Sequence, residues 1–240
     1  ALLVVDELNA TLGEQIVMLQ CSDIQSGYII LRNYIPKEKI EPMIKGTSIE
    51  KFEFIADDPN FIREKLLLEA AQIKAPEART TIGTIPIDHA FNVKGVGAVV
   101  LGIVVNGMVQ KHAMLKALPS VKVAQVRSIQ KHDDEFEDAT EGDRVGFALK
   151  NVEVEDLDRG TVLTNDPAVQ TSNKLQAQAA LVKYWQTPLK EGMVMHVGHW
   201  TQFVTAKVEA ITQTADTKKP NLTLTLDKPL VYSPQDKAVL

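Results

Sequence analysis

The chain has 240 residues, which allows one large domain or several small ones, since typical domains hold roughly 100–150 residues. Hydrophobic residues make up 45% and charged residues 24%, a composition that excludes a disordered or fibrous protein. The net charge of −5 gives no overall attraction to phosphate groups, so any nucleic-acid contact needs a local basic face. The single cysteine, Cys21, excludes an internal disulfide and, with no signal peptide at the start, favours a cytoplasmic location.

Short apolar strands alternate with amphipathic segments from residue 1 to about residue 77, a pattern typical of an α/β layer with parallel strands. Because the first strand begins at residue 1, we expect further sequence upstream. The predicted strands cover residues 1–5, 27–31 and 49–55. The predicted helices cover residues 14–20, residues 36–45 with Gly46 as C-cap, and a last helix from the Asp58 N-cap to Pro76 with an apolar stripe of Phe61, Ile62, Leu66 and Ala70.

Glycine-punctuated strands without a helical period extend from about residue 79 to residue 240. Such a run predicts small antiparallel barrels. Residues 161–166 are the predicted seam, that is, the boundary between two barrels. The strict alternation over residues 222–226 indicates a strand of the second barrel.

Three glycines in the first predicted barrel, Gly95, Gly97 and Gly102, are expected where strands turn or cross closely. They do not form a phosphate-binding loop, because no lysine followed by serine or threonine opens a helix after them. The apolar run over residues 96–105 is too short for a membrane-spanning helix, which needs roughly 20 residues. We therefore expect no membrane partner.

Residues 85–164 carry a specific resemblance. The tract IPIDHAFNVKGVGAVVLGIVVNG, then VRSIQKHD, then EGDRVGFALKNVEVEDLDRGTVL resembles domain 2 of the translational GTPases in order and spacing. The family is that of EF-Tu/SelB-type translation elongation factors, and IDHAFNV followed by G-x-G is most similar to the SelB-like EF-Pyl factors of archaea. The tracts MHVG and VTAKVEAI resemble domain 3 of the same proteins more loosely.

The resemblance implies a three-part architecture. Residues 1–77 would be the C-terminal half of a partial, degenerate P-loop GTPase-like α/β domain. Residues 78–165 would form an elongation-factor domain 2 β-barrel, and residues 166–240 a domain 3 β-barrel.

The two guanine-binding positions of the family are degenerate in this chain. The strand over residues 27–31 is followed in relatives by N/T-K-x-D, whereas here Ile35 stands at the position of the acid. The second loop, normally S-A-K/L, begins at Ala56 and continues into two aspartates. The sequence also contains no G-x-x-x-x-G-K-[ST] motif, so we expect no cofactor and no GTPase catalytic residue from this chain, with GTP and Mg²⁺ bound only if upstream sequence supplies the phosphate site.

A candidate binding site for the aminoacyl end of a charged tRNA comprises Asp88, His89, Phe91 and Arg144, as the resemblance implies. The planar guanidinium of Arg144 suits a carboxylate or a selenolate-like group. The alternative is an ion pair between Arg144 and Asp88 that only ties two strands together.

Other polar and aromatic residues favour structural roles. His196 and His199 lie three apart on a predicted strand and so face opposite sides, which disfavours a shared metal ion. Trp185 and Trp200 are expected as barrel or interface residues, with stacking on tRNA as the alternative. The charged tract at residues 131–134 is expected to be a solvated loop.

Two functions remain open from the sequence. The first is an aminoacyl-tRNA binder of the elongation-factor class that also meets the ribosome. The second is a non-GTPase paralogue that keeps the barrels as a scaffold for a protein partner, because a fold does not by itself carry function.

Overall fold

The computed structural model describes residues 1–73, 80–185, 187–234 and 236–240. These fall into two compact units, residues 1–75 with 181–186 and residues 76–180 with 187–240. The predicted boundary after residue 77 lies outside the described residues, so the domain limits stay predictions. The last helix ends at Ala70, before its predicted end at Pro76. None of the helices in the described ranges is both long enough and apolar enough to cross a membrane.

The smaller unit contains a three-stranded parallel sheet in the order β1-β2-β3. Its elements are β1 (Leu2–Val5), α1 (Ala10–Cys21), β2 (Tyr28–Leu31), α2 (Lys37–Ile44), β3 (Glu53–Ile55) and α3 (Pro59–Ala70). This alternation matches the predicted one, although β3 is shorter because Ser48–Lys51 form a 3-10 turn. A P-loop nucleotide-binding domain is not evident in these elements.

The core of this unit explains why the chain forms these elements. α1 begins four residues earlier than predicted, because Asn9 Oδ1 accepts a hydrogen bond from Leu12 N at 3.1 Å and caps the helix. Five isoleucines from helices, strand and turn are buried together, and each stabilises the fold by about 1.5–3 kcal/mol. They are Ile16, Ile29, Ile40, Ile44 and Ile49.

The last helix, α3, starts as predicted but packs differently. Asp58 Oδ1 accepts hydrogen bonds from Asn60 N at 2.9 Å and Phe61 N at 3.2 Å, which fixes the helix start. No residue of α3 is buried, however, so its apolar stripe does not enter the core. The stripe residues Ile62, Leu66 and Ala70 instead line an open groove of about 610 Å³. The other apolar residues of this groove are Leu2, Val4, Ile30, Pro59 and Leu67.

The first part of the larger unit is a closed six-stranded antiparallel barrel. Its strands are β4 (Gly83–Val93), β5 (Gly97–Ile103), β6 (Asn106–Gln110), β7 (Met114–Leu118), β8 (Lys122–Lys131), β9 (Asp134–Phe136), β10 (Asp138–Thr140), β11 (Arg144–Lys150) and β12 (Val162–Thr164). The ring runs β4-β12-β7-β8-β11-β5 and closes where β5 pairs with β4, while the other three strands extend it outside the ring. The first predicted barrel is therefore confirmed.

Inward residues and one close crossing shape the barrel. The interior is filled by alternate residues of the ring, among them Ile85, Ile87, Val100, Leu115, Ile129, Phe147 and Leu163. A Cβ at Gly102 would lie 2.5 Å from Pro86 O, so a larger residue would push β5 away from β4. Gly95, in the turn before β5, has a φ of 82°, and Gly97, the first residue of β5, has a φ of 97°. All three glycines thus have the predicted roles.

The second part of the larger unit is a four-stranded antiparallel sheet in the order β13-β16-β15-β14. Its strands are β13 (Gln170–Gln178), β14 (Val194–His199), β15 (Gln202–Thr212) and β16 (Asn221–Tyr232). Leu222, Leu224 and Leu226 are buried, as the alternation predicts. The predicted barrel does not close within the described residues: β13 pairs only with β16, and β14 gains only an isolated bridge from Gly198 to Val239. The described chain between β13 and β14 forms turns and irregular segments instead of strands.

A small apolar cluster joins the barrel to the sheet. Leu118 and Val162 of the barrel pack with Val231 of the sheet, and Trp200 lies against them. The Gln202 side-chain amide donates to Val231 O at 2.7 Å, and its Oε1 accepts from Val231 N at 2.8 Å. Trp200 is therefore an interface residue, one of its two expected structural roles.

Candidate functional site

A β-bulge in β4 brings two of the predicted site residues together. The pairing of β4 with β5 shifts register between Ile87 and His89, so Asp88 is the extra residue. On a regular strand neighbouring side chains face opposite sides. Here His89 Nδ1 lies 2.8 Å from Asp88 Oδ2, and because an ionised carboxylate only accepts, the Nδ1–H donates.

Phe91 follows on the same outward face as His89. Cross-strand pairs place His89 opposite Leu101 and Phe91 opposite Val99 on β5. His89 and Phe91 are exposed, as are Leu101 and, at the end of β5, Ile103. The outer face of β4 and β5 therefore combines an imidazole with apolar surface.

Arg144 lies on the far side of β5 from β4. It pairs with Ile103 at the start of β11, so one strand separates it from β4, a spacing of roughly 10 Å. The ion pair between Arg144 and Asp88 does not form: Asp88 Oδ1 instead lies 3.3 Å from Arg159 Nε. Arg144 is exposed and has no ion pair with any residue that the structure describes. The structure thus unites three predicted residues and leaves the fourth free at the edge of the same face.

Asp143, next to Arg144, links the turn before β11 to β8 and β10. Asp143 Oδ2 accepts from Thr140 N at 2.9 Å and from Lys131 Nζ at 3.1 Å. Partial burial raises the pKa of Asp143, but these hydrogen bonds and the Lys131 charge outweigh it and lower the pKa below its ordinary value. Lys131 also lies 4.2 Å from the centre of the Phe136 ring, so the expectation of a solvated tract is wrong for Lys131.

At the carboxyl ends of the parallel strands, an ion-pair network occupies the region of the degenerate guanine positions. Arg32 donates to both oxygens of Asp57, Nε to Oδ2 at 2.7 Å and Nη2 to Oδ1 at 3.2 Å, and Nη1 reaches Asp6 at 3.5 Å. The hydrogen bond from Arg32 lowers the pKa of the Asp57 carboxyl. Ile35 packs against the hydrophobic core, and Ala56 leads directly into Asp57. Sequence reasoning missed Arg32, which follows β2 and whose two partners follow β1 and β3.

The two histidines of β14 have unrelated surroundings. His196 is exposed and stacks on Phe203, with ring centres 4.8 Å apart and an interplanar angle of 4°. His199 is buried, donates from Nδ1 to Lys237 O at 3.2 Å and has Nε2 3.1 Å from Asp236 Oδ2 without hydrogen-bond alignment. Burial lowers the pKa of His199, and the Asp236 charge and the Lys237 carbonyl offset only part of that shift.

The outward face of the four-stranded sheet carries a second set of exposed groups that sequence reasoning missed. Phe203 is 74% exposed, the largest accessible fraction of any Phe that the structure describes as exposed. Lys207 pairs with Val194 on one side and with Thr225 on the other, and Thr225 pairs in turn with Lys174. Two lysines and a stacked aromatic pair therefore share one face. Strand alternation would predict this shared face only once the register of the strands was known.

The other tryptophan, Trp185, lies in the segment 181–186 and is 38% exposed. Its neighbours Lys183 and Tyr184 are engaged with α2: Lys183 Nζ donates to Lys45 O at 2.7 Å, and Tyr184 Oη donates to Met43 O. These donors satisfy carbonyl groups that the end of a helix leaves without intrahelical partners. Lys183 is therefore occupied at the helix end.

Comparison with known proteins places these features in a family. The model of the family "Elongation factor Tu domain 2" matches residues 97–164. A Methanocaldococcus jannaschii protein that carries the name uncharacterized protein MJ0325 is 33% identical over 240 residues, which are 100% of this chain and 74% of that protein. The selenocysteine-specific elongation factor of the same organism is 39% identical over 113 residues, 47% of this chain and 24% of the factor. The chain belongs to the EF-Tu/SelB family of translation elongation factors.

The fold of the family extends over nearly the whole chain. Translation elongation factor SelB from Methanococcus maripaludis, in its apo form, superposes with a TM-score of 0.83 at 22% identity, covering 97% of this chain and 58% of SelB. The chain therefore spans about three fifths of that solved elongation factor. Arg144 lies within residues 97–164, which match the family model. Asp88, His89 and Phe91 precede these residues.

Proposed function

We propose that this chain is a translation factor that binds aminoacyl-tRNA through the outer face of β4, β5 and β11. The observation that carries the proposal is the exposed guanidinium of Arg144 on the same barrel face as His89 and Phe91. An arginine without a protein acid as partner keeps its planar set of donors for a ligand. Membership of an elongation-factor family supports a charged tRNA as that ligand.

The chemistry of the face suits an aminoacyl end. Phe91, Leu101 and Ile103 offer apolar contact, and Arg144 and His89 offer directed hydrogen bonds beside it. Charge-assisted hydrogen bonds from a guanidinium are stronger than neutral ones, which suits a carboxylate or selenolate-like side chain. Asp88 belongs to the site through His89, to which it is bonded.

The outward face of the four-stranded sheet supports contact with the RNA body. Lys174 and Lys207 can neutralise phosphates, and the stacked His196–Phe203 pair offers an aromatic surface. The net charge of −5 makes such a local basic row the natural place for an RNA contact. The ribosome is the further partner we propose, in the cytoplasm of an archaeal cell.

For residues 1–77 we propose descent from the C-terminal half of a P-loop GTPase-like domain that no longer reads guanine. Two observations support this: Ile35 is apolar and packs against the core, and Asp57 is paired with Arg32, so neither residue offers a free polar group to the base. GTP and Mg²⁺ would act only if upstream sequence supplied a phosphate site. The chain itself is proposed to have no GTPase activity.

The second candidate function is a scaffold for a protein partner, and the groove beside α3 favours it. Its walls include Leu66 and Leu67, exposed by 42% and 59%. Exposed apolar patches often mark protein-binding sites. In this reading the barrels would persist without tRNA binding.

A binding comparison separates the two functions. The purified chain is titrated with an unfractionated aminoacylated tRNA pool and with the same pool after deacylation, using a filter-binding or gel-shift readout. We expect a clear preference for the aminoacylated pool that is lost in a His89→Ala/Phe91→Ala variant and kept in His132→Ala, an exposed histidine of the β8–β9 turn. Equal binding of both pools, or none, would reject the tRNA proposal and favour the scaffold.

A further inference from the structure

Each oxygen of the Asp88 carboxylate contacts a different residue. Oδ2 accepts from His89 Nδ1 at 2.8 Å, and Oδ1 lies 3.3 Å from Arg159 Nε. The first contact depends on the bulge that makes Asp88 the extra residue of β4. The second comes from a residue 71 positions further along the chain, in the turn before β12.

The turn that carries Arg159 is fixed beside the bulge. Gly160 N donates to Ile87 O at 3.1 Å, and Ile87 N donates to Thr161 O at 2.8 Å. Thr161 N closes the turn by donating to Asp158 O at 2.9 Å. Backbone hydrogen bonds therefore hold the residue next to Arg159 against the residue next to Asp88, so the approach of the guanidinium to the carboxylate is built into the barrel.

We propose that Arg159 is a positioning residue: it holds Asp88 against His89, and Asp88 in turn fixes the neutral His89 ring in the tautomer with hydrogen on Nδ1. In that tautomer Nε2 is an acceptor. The His89 side chain is 66% exposed, on the face that carries Phe91. His89 therefore meets its ligand with a hydrogen-bond acceptor, and the ligand group at that point is a donor.

The role of Arg159 is orientation and not stability. The Arg159 and Asp88 side chains are 70% and 42% exposed, and exposed ion pairs contribute little to the free energy of folding. Without Arg159, the Asp88 carboxylate is free to turn towards water and leave Nδ1. The inference that the ligand presents a donor to His89 rests on the proposed aminoacyl-tRNA function. The inference that His89 carries its hydrogen on Nδ1 does not.

Nuclear magnetic resonance of histidine-labelled protein tests the chain of contacts directly. Long-range ¹H–¹⁵N correlations at about pH 8.5, where neutral imidazole prevails, distinguish the two tautomers. We expect the His89 signals, assigned with His89→Gln, to show hydrogen on Nδ1 in the wild type. In Asp88→Ala the ring should revert to hydrogen on Nε2, and in Arg159→Ala the Nδ1–H share should fall, with recovery in Arg159→Lys.

A matched control excludes a general effect of charge. Arg127 is an arginine of the same barrel that donates to Val96 O and not to Asp88, so Arg127→Ala should leave the His89 tautomer unchanged. A wild-type ring with hydrogen on Nε2, or a Nδ1–H share that Arg159→Ala leaves intact, would overturn the proposal. Because the measurement contains no tRNA, failure of the tRNA proposal leaves this result unaffected, and the reverse also holds.

Discussion

Arg144 is the residue whose environment most favours ligand binding, because Asp88, the acid that could have paired with it, forms an ion pair with Arg159 and a hydrogen bond with His89. We predict that Arg144→Lys, which keeps the charge but not the planar donors, weakens aminoacyl-tRNA binding by about 1–3 kcal/mol. The melting temperature should hardly move, since the side chain is exposed. Binding titrations and thermal melts on one variant measure both quantities.

The matched control for this prediction is Arg127→Lys, another exposed barrel arginine, which should leave tRNA affinity unchanged. If Arg144 only supported the barrel, its replacement would lower the melting temperature slightly and leave affinity intact. Unchanged affinity in Arg144→Lys, with a wild type that does bind charged tRNA, would remove Arg144 from the site.

His199 gives the chain an acid-sensitive point. Burial lowers its pKa, so the folded state binds a proton less readily than the unfolded state. The stability that neutral His199 contributes is therefore complete above the unfolded pKa of about 6.5 and is lost as pH falls through the lower folded pKa. We predict that His199→Asn flattens the decrease of the urea midpoint between about pH 7 and pH 5, whereas His196→Asn, at an exposed site, does not. An unchanged slope in His199→Asn would contradict this.

Among the candidate site residues, three belong to one continuous tract, and Arg144 was predicted from the family resemblance. Asp88, His89 and Phe91 lie within four positions, so their common strand could be predicted. Arg159 could not be found, because its approach to Asp88 depends on a bulge and on a turn 71 residues away. Phe203 was not predicted as a surface residue, because its exposure depends on which face of β15 packs against the core.

The end of α2 is an element whose carbonyl groups depend on a distant segment. Tyr184 Oη donates to Met43 O, so we predict that Tyr184→Phe destabilises α2 by about 0.5–1.5 kcal/mol. Hydrogen exchange of the α2 amides reports the local loss. Tyr232→Phe, which removes a tyrosine bond to Gln170 in the four-stranded sheet, serves as the control and should leave α2 protection unchanged.

The carboxyl ends of β1, β2 and β3 are closed by Asp6, Arg32 and Asp57. Ligands of open α/β sheets bind at such strand ends. Because ion pairs occupy this edge and Ile35 packs inward, we predict that GTP and GDP bind without useful preference over ATP. Calorimetry with GTP and ATP measures it, and micromolar affinity for GTP with strong selectivity would refute it.

Helices and strands could be predicted where residues adjacent in sequence determine where they begin, end or turn. The N-cap of α3, the glycines at the start of β5 and the alternation in β16 all follow from adjacent residues. The C-cap of α2 is Lys45 and not the predicted Gly46. Closure of the second barrel was wrong, because closure depends on whether the chain between β13 and β14 forms strands, and it forms turns where the structure describes it. The packing of α3 could not be predicted either, because an apolar stripe in the sequence does not show whether another part of the chain covers that stripe.

For the whole molecule, we predict that limited proteolysis cuts at residues 75–81 or at the seam near residues 164–171 before it cuts within residues 97–102. The seam is tied down by Asn165, which accepts from Gly83 N at 2.8 Å and donates to Thr81 O at 3.0 Å. Mass spectrometry of early fragments identifies the sites, and a first cut inside residues 97–102 would contradict the domain map.

The order of the α/β region and the two β regions along the chain could be predicted because the family resemblance covers most of the chain. The coarse result, a mostly β protein with a closed barrel like that of SelB, agrees with it. The boundaries fall partly at residues 74–79, outside the described ranges, and no pattern in the sequence fixes them independently.

The bonds of Asn165 also determine where the two chain ends of the barrel lie. Thr84 and Thr164 are cross-strand partners, their hydroxyl oxygens are 2.9 Å apart, and Asn165 bonds to both residues flanking Ile82. Entry and exit of the chain therefore sit side by side at one corner of a ring with no open edge. Such a module can be circularly permuted by a short link between residues 80 and 165, or inserted into a surface loop of an unrelated host, without breaking a ring strand.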